Sequence, residues 1–133
     1  MVWSPEPFPD LEAGLVRWLS ERPGFTPRQV GDDLPSDYKG RLPYLEVGVR
    51  GGPSDGLTWF AEVEVYCFAR SRNEARRILV ETFASMGVYP RNFGGVSVDT
   101  VEVTEWPSRS KAHEPDEDTA CFSGEMTITL RRR

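Results

Sequence analysis

Glu62 and Glu64 stand two residues apart in an alternating stretch, TWFAEVEVYCFA, so on a strand they share one face. Paired carboxylates of this kind can do acid–base chemistry, or with a third acid such as Asp99 hold a metal ion. Both lie mid-strand between Phe60 and Tyr66, so a solvated or subunit-facing sheet surface is the simpler reading. His113 is the only histidine, and no Ser in a G-x-S-x-G setting accompanies it. The acids Glu114, Asp116, Glu117 and Asp118 lack the D-x-[DN]-x-[DN]-G calcium pattern. Gly51–Gly52 and Gly94–Gly95 carry no phosphate-loop Lys and read as turn glycines. Cys67 and Cys121 form no CxxC or Cys/His cluster. They read as buried thiols, with a disulfide possible only if their strands are neighbours. The residues therefore point to no catalytic group, no cofactor and no metal.

Arg70, Arg72, Arg76 and Arg77 gather at the start of a helix. The helix dipole disfavours cations there by a few tenths of a kcal/mol each. Either they form a solvated face, or they meet carboxylates on a neighbouring subunit or partner. On the strand before them, Phe60, Tyr66 and Phe68 share the face of Glu62 and Glu64. Either both faces of the sheet are covered within the monomer or, as two helices in a chain of this length favour, these rings face out as an interface. Arg109 and Lys111, in a charged loop, complete the candidate contact set.

The elements that position these residues follow from periodicity. Pro5, Pro7 and Pro9 make residues 1–9 an extended arm. Asp10 caps a first helix whose Leu11, Leu15, Trp18 and Leu19 form one stripe, ended near Arg22 by Pro23 and Gly24. A short strand is expected around Thr26–Val30. In residues 44–50, Leu45, Val47 and Val49 face one way and Tyr44, Glu46 and Arg50 the other. A loop over residues 51–56 leads to the strand from Trp59, whose odd positions through Ala69 form the core face. Ser71 and Glu74 make a capping box, and Ala75, Ile78, Leu79, Thr82, Phe83 and Met86 the buried stripe of the second helix. Gly87 is placed to end it. Residues 96–106 form a strand whose apolar phase slips between Val98 and Val101, predicting a bulge or break. A loop over 107–118 precedes a last strand at about 119–131, with Ala120, Phe122, Met126, Ile128 and Leu130 on one face. The order α, β, β, β, α, β, β predicts an α+β fold: a mixed, mostly antiparallel sheet of four to five strands with two helices packed on one face.

The length, 133 residues, fits one domain, and 38% hydrophobic with 28% charged residues suits a folded chain rather than a disordered one. A net charge of −5 argues against non-specific nucleic-acid binding. No apolar run is long enough to span a membrane, and MVWSPEPFPD lacks the basic and apolar regions of a signal peptide. A cytoplasmic site of synthesis is expected.

Five segments in this order carry a family resemblance: DLEAGLVRWLSER; LPYLEVGVRGGP; TWFAEVEVYCFARSRNEARRI; GGVSVDTVEVTEWPSR; and FSGEMTITLRR. Over nearly the whole chain they resemble the tail terminator family of long-tailed, siphovirus-type bacteriophages. The arm at 1–9 matches no shared pattern. The resemblance implies a structural virion protein, not an enzyme. It implies a hexameric ring at the neck end of the tail, assembled in the host cytoplasm. Such a ring caps the tail tube, ends its polymerisation and presents a surface to the head-side connector. Six copies at −5 each carry −30, an acidic ring through which DNA passes without specific binding. The alternatives are another neck protein, for head–tail joining or tail completion, and a small metal-dependent enzyme using Glu62 and Glu64. The polar loops at 50–57 and 106–118 are the expected contacts with the tube.

Overall fold

The structure, a computed structural model, describes residues 8–88 and 92–131. The expected arm falls mostly outside them, but Phe8 is described and its ring lies 5.7 Å from that of Trp59. Helix α1 (Leu11–Ser20) leads through a 3-10 turn at Pro27–Gln29 to β1 (Val30–Gly31) and a second turn at Tyr38–Arg41. Strands β2 (Tyr44–Val49) and β3 (Thr58–Ala69) make a hairpin, followed by α2 (Arg72–Val88). The short strands β4 (Asn92–Phe93) and β5 (Val96–Ser97) precede β6 (Thr100–Arg109), a 3-10 turn at Lys111–His113 and β7 (Ala120–Arg131).

The main sheet has the order β1-β2-β3-β7-β6, with only β1 and β2 parallel. The fold is thus α+β, with a five-stranded mixed sheet and two helices on one face. Both β3 and β6 pair antiparallel with β7, so they point the same way and α2 crosses between them. β7 is hydrogen-bonded on both sides, and its apolar alternation puts one of its faces on the core.

The core lies between sheet and helices. From β3 come Ala61, Val63, Val65, Cys67 and Ala69; from β7 come Phe122, Met126, Ile128 and Leu130; from α2 come Ala75, Ile78, Leu79, Phe83 and Met86. Each larger buried side chain contributes about 1.5–3 kcal/mol. Leu11, Leu15 and Leu19 of α1 close the core over β2. Capping follows the sequence at both helices: Ala13 N–H donates to Asp10 at 3.0 Å, and Glu74 N–H to Ser71 Oγ at 3.2 Å. The helices are tied together by Arg22, whose guanidinium donates to Thr82 Oγ1 at 2.6 Å.

Some local expectations are corrected and others hold. Thr26–Val30 is a 3-10 turn leading into a two-residue strand, because Pro27 presets a turn. Gly87 lies within α2 rather than just beyond it. The phase slip at Val98–Val101 is a break between β5 and β6. β6 runs on through Pro107 to Arg109, which an edge strand with register shifts at Val103/Glu105 and Glu105/Ser108 tolerates. The glycines at 94 and 95 turn the β4–β5 hairpin with φ of +57° and +95°, as two-residue hairpin turns require. Cys67 and Cys121 sit on neighbouring strands, but Cys67 pairs with Phe122 and Cys121 with Phe68, so the thiols face opposite sides. Both are free and buried, and burial pushes the Cys121 thiol up to about 12.

Candidate functional site

The face of the sheet away from the helices carries the even positions of β3 and the odd positions of β7. It has two halves. Over one half, residues 34–42 fold down and bury Tyr44, Phe68 and Cys121 under Leu34 and Leu42. This corrects the expectation for Phe68, which is 3% exposed and part of a second small core. The sequence could not show this, because the covering segment has no period. Tyr66 is half-buried, and its ring lies 4.8 Å from that of His113. The loop bearing His113 is tied down: Asp116 accepts hydrogen bonds from Tyr38 and Thr119, and Lys39 lies 3.5 Å from it. The Tyr38 bond holds Asp116 down to about 2.

At the boundary between the halves sits an acidic row. Register places Glu64 opposite Glu125, and Glu125 opposite Glu105. Arg50 reaches over from the β2–β3 hairpin to Glu64 at 2.7 Å and Glu125 at 2.6 Å. Tyr66 donates to Glu64 at 2.5 Å. Burial raises Glu64, but the bonds from Tyr66 and Glu125 and the charge of Arg50 outweigh it, holding this carboxyl low. Glu125 is raised instead, first by burial and then by its carboxylate neighbours Glu64 and Glu105. Glu64, Tyr66, Glu105 and Glu125, with Ser108 and Ser123, line a hollow of about 140 Å³. Sequence reasoning singled out Glu64 but missed Arg50, Glu105 and Glu125. Only the strand order brings them together.

The other half of the face is bare. Phe60 is 40% exposed, opposite Thr129, which in turn faces Thr100. Glu62 and Glu102 flank Thr127 in the next row, and both are exposed. Glu62 and Glu64 share a face as the alternation implied, but Glu64 is engaged by Arg50 and Asp99 by Arg131 at 2.6 Å. Among the described residues no group of three or more His, Cys, Asp or Glu has the arrangement to hold a metal ion.

The arginines lie on the helix side. Arg70, Arg72 and Arg76 are exposed, and Arg77 pairs with Glu81 at 3.7 Å. Arg70, Arg72 and Arg109 line a hollow of about 620 Å³ at the start of α2, together with Lys39 and the acids Glu114, Glu117 and Asp118. Arg109 grips Glu114 with two nitrogens at 3.0 and 3.2 Å, so it serves the loop rather than standing ready for a partner. Lys111 is exposed on the 3-10 turn. Trp106, not singled out from the sequence, is 54% exposed and meets Phe83 of α2 edge-on at 6.3 Å. The loops at 50–57 and 110–119 leave opposite ends of the sheet, since Thr58 pairs with Arg131 and Ala69 with Ala120.

Among the described residues no helix is long and apolar enough to cross a membrane. No protein-family model matches the chain, and neither does any curated protein.

Proposed function

We propose that this chain is a structural, ring-forming subunit that caps a phage tail tube, ends its polymerisation and offers the joining surface to the head-side connector. The observation that carries the reading is the half-bare sheet face. A well-packed core coexists with an exposed patch of Phe60, Glu62 and Glu102 that no part of the described chain covers. An exposed aromatic ring with charges at its rim suits a contact surface, where aromatic residues are enriched and the rim is polar. The loops at opposite ends of the sheet suit a ring with two working faces, one toward the tube and one toward the connector. The family resemblance across the chain supplies the tail context.

The test is light scattering of the purified protein together with negative-stain imaging, alone and mixed with isolated tail tubes. Six-fold rings, in solution or seated on tube ends, are expected. A monomer that never decorates tubes overturns the reading. Binding to connector-bearing heads without tube capping assigns the chain to a different neck position.

A further inference from the structure

We infer that copies of this chain associate head to tail, the arginine face of α2 on one copy seated against the bare acidic half of the sheet on the next. The inference rests on the reading of the chain as a self-assembling subunit and adds which two surfaces meet.

Two pairs of exposed charges of opposite sign lie on opposite sides of the sheet, Arg72 and Arg76 on the helix side and Glu62 and Glu102 on the open face. Both helices cover one side of the sheet, so the outer surface of α2 and the open sheet face look away from each other. Arg72 and Arg76 are four residues apart, hence neighbours on one helix face. Both are exposed, and among the described residues neither pairs with a carboxylate at ion-pair distance. The one acid in the first turn of α2, Glu74, is turned back to the Arg70 N–H at 3.4 Å. Trp106 stands exposed on the same side, against Phe83 of α2.

The opposite side mirrors this with reversed sign. Glu62 and Glu102 are exposed, and among the described residues neither is in an ion pair. Phe60 lies beside them at 40% exposure. Each surface therefore offers one exposed ring and two exposed charges outside any ion pair of the described residues, with opposite signs, Arg72 also bordering the hollow that holds Glu114, Glu117 and Asp118. Ring and arginine are the residue types that anchor interfaces, and opposite potentials steer and orient association.

A two-fold dimer would set each surface on its own copy, arginine on arginine or carboxylate on carboxylate. Joining unlike surfaces is heterologous, and repeats until it closes into a ring or continues as a filament. The other open route to self-association, pairing along the β6 edge, is blunted by two register shifts and by Pro107.

The experiment follows the mass of the full chain by light scattering and sedimentation across about 50–500 mM NaCl, where surface attraction is progressively screened. It is repeated by ring counting on tail tubes. Self-association is expected to weaken at least about tenfold over that range, as charge-steered contacts do. The double reversals Arg72→Glu/Arg76→Glu and Glu62→Arg/Glu102→Arg are each expected to weaken it by about 100-fold or more. Mixing the two variants, or combining all four changes in one chain, is expected to restore it. The neutral pair Arg72→Gln/Arg76→Gln guards against misfolding and is expected to lose less. Matching melting temperatures show that each variant folds. A reversed variant that assembles like the parent overturns the inference, as does failure of the combined variant to recover, or a parent monomeric both in solution and on tubes. Tubes capped normally by both reversed variants would overturn this contact and leave the capping reading standing. Charge-dependent assembly that never caps tubes would do the reverse.

Discussion

Glu64 and Glu125 share Arg50 across one strand pair, yet their carboxyls shift in opposite directions. Glu64 sits below its unfolded value, so the stability it contributes is present above about pH 4.3 and is lost as the pH falls. Glu125 sits above its unfolded value, so its contribution to stability declines as the pH rises through its folded pKa. Replacing Glu64 by Gln is therefore expected to cost about 1–2 kcal/mol at neutral pH and progressively less in acid. Glu125→Gln keeps an acceptor for Arg50 and removes the repulsion. It is expected to be neutral or to stabilise by up to about 1 kcal/mol at pH 7, with the gain vanishing near pH 4. Urea unfolding at the two pH values checks both, and a loss from Glu125→Gln equal to that from Glu64→Gln contradicts the assignment. The pairing of Glu62 with Glu64 was legible from alternation. The triplet Glu64, Glu125 and Glu105 was not, because it depends on β7 lying between β3 and β6.

Close approaches decide how the elements dock. The Phe83 ring of α2 lies over Gly124 of β7, where a Cβ would come within 2.7 Å of the ring and 2.9 Å of the Glu105 carbonyl. Gly124→Ala is expected to destabilise by about 1–3 kcal/mol by overpacking, read as a drop in urea midpoint at unchanged slope. Gly14 of α1 is just as tight against the β4–β5 hairpin, where a Cβ would come within 2.5 Å of the Phe93 carbonyl oxygen. Ser71→Ala removes the cap of α2 and is expected to cost about 1 kcal/mol. The caps, the two helices and the long strands were readable because each has its own period or its own end signal. The β4–β5 hairpin escaped because two-residue strands show no alternation. The length of β6 was misjudged because Pro107 reads as a stop, and only an edge position makes it tolerable.

At the scale of the molecule, the two polar loops differ in kind. The segment at 110–119 is bound back onto the sheet through Asp116, Glu114 and the His113–Tyr66 contact. Deleting residues 109–117 is thus expected to lower the melting temperature as well as any tube binding, which makes it a poor probe of contact. The hairpin at 50–57 is anchored at its start by Arg50 and Gly51, but its tip is open, with Leu57 69% exposed. Leu57→Ser is expected to weaken tube capping severalfold with no change in melting temperature, measured by counting capped tubes. Unchanged capping would shift the tube contact to the other end of the sheet.

Local pattern in the sequence sets the fold class, the helix starts and the core faces of β2, β3 and β7. These are local properties, set by the period of apolar residues and the chemistry of helix ends. It also identified Phe60, Glu62, Arg72 and Arg76 as exposed. Only the tertiary fold sets the strand order β1-β2-β3-β7-β6, the burial of Phe68 beneath residues 34–42, and the meeting of Glu64, Glu125 and Glu105 around Arg50. Those depend on which distant segments meet. The free energy of such contacts comes from surfaces brought together across the chain, and no local pattern records them.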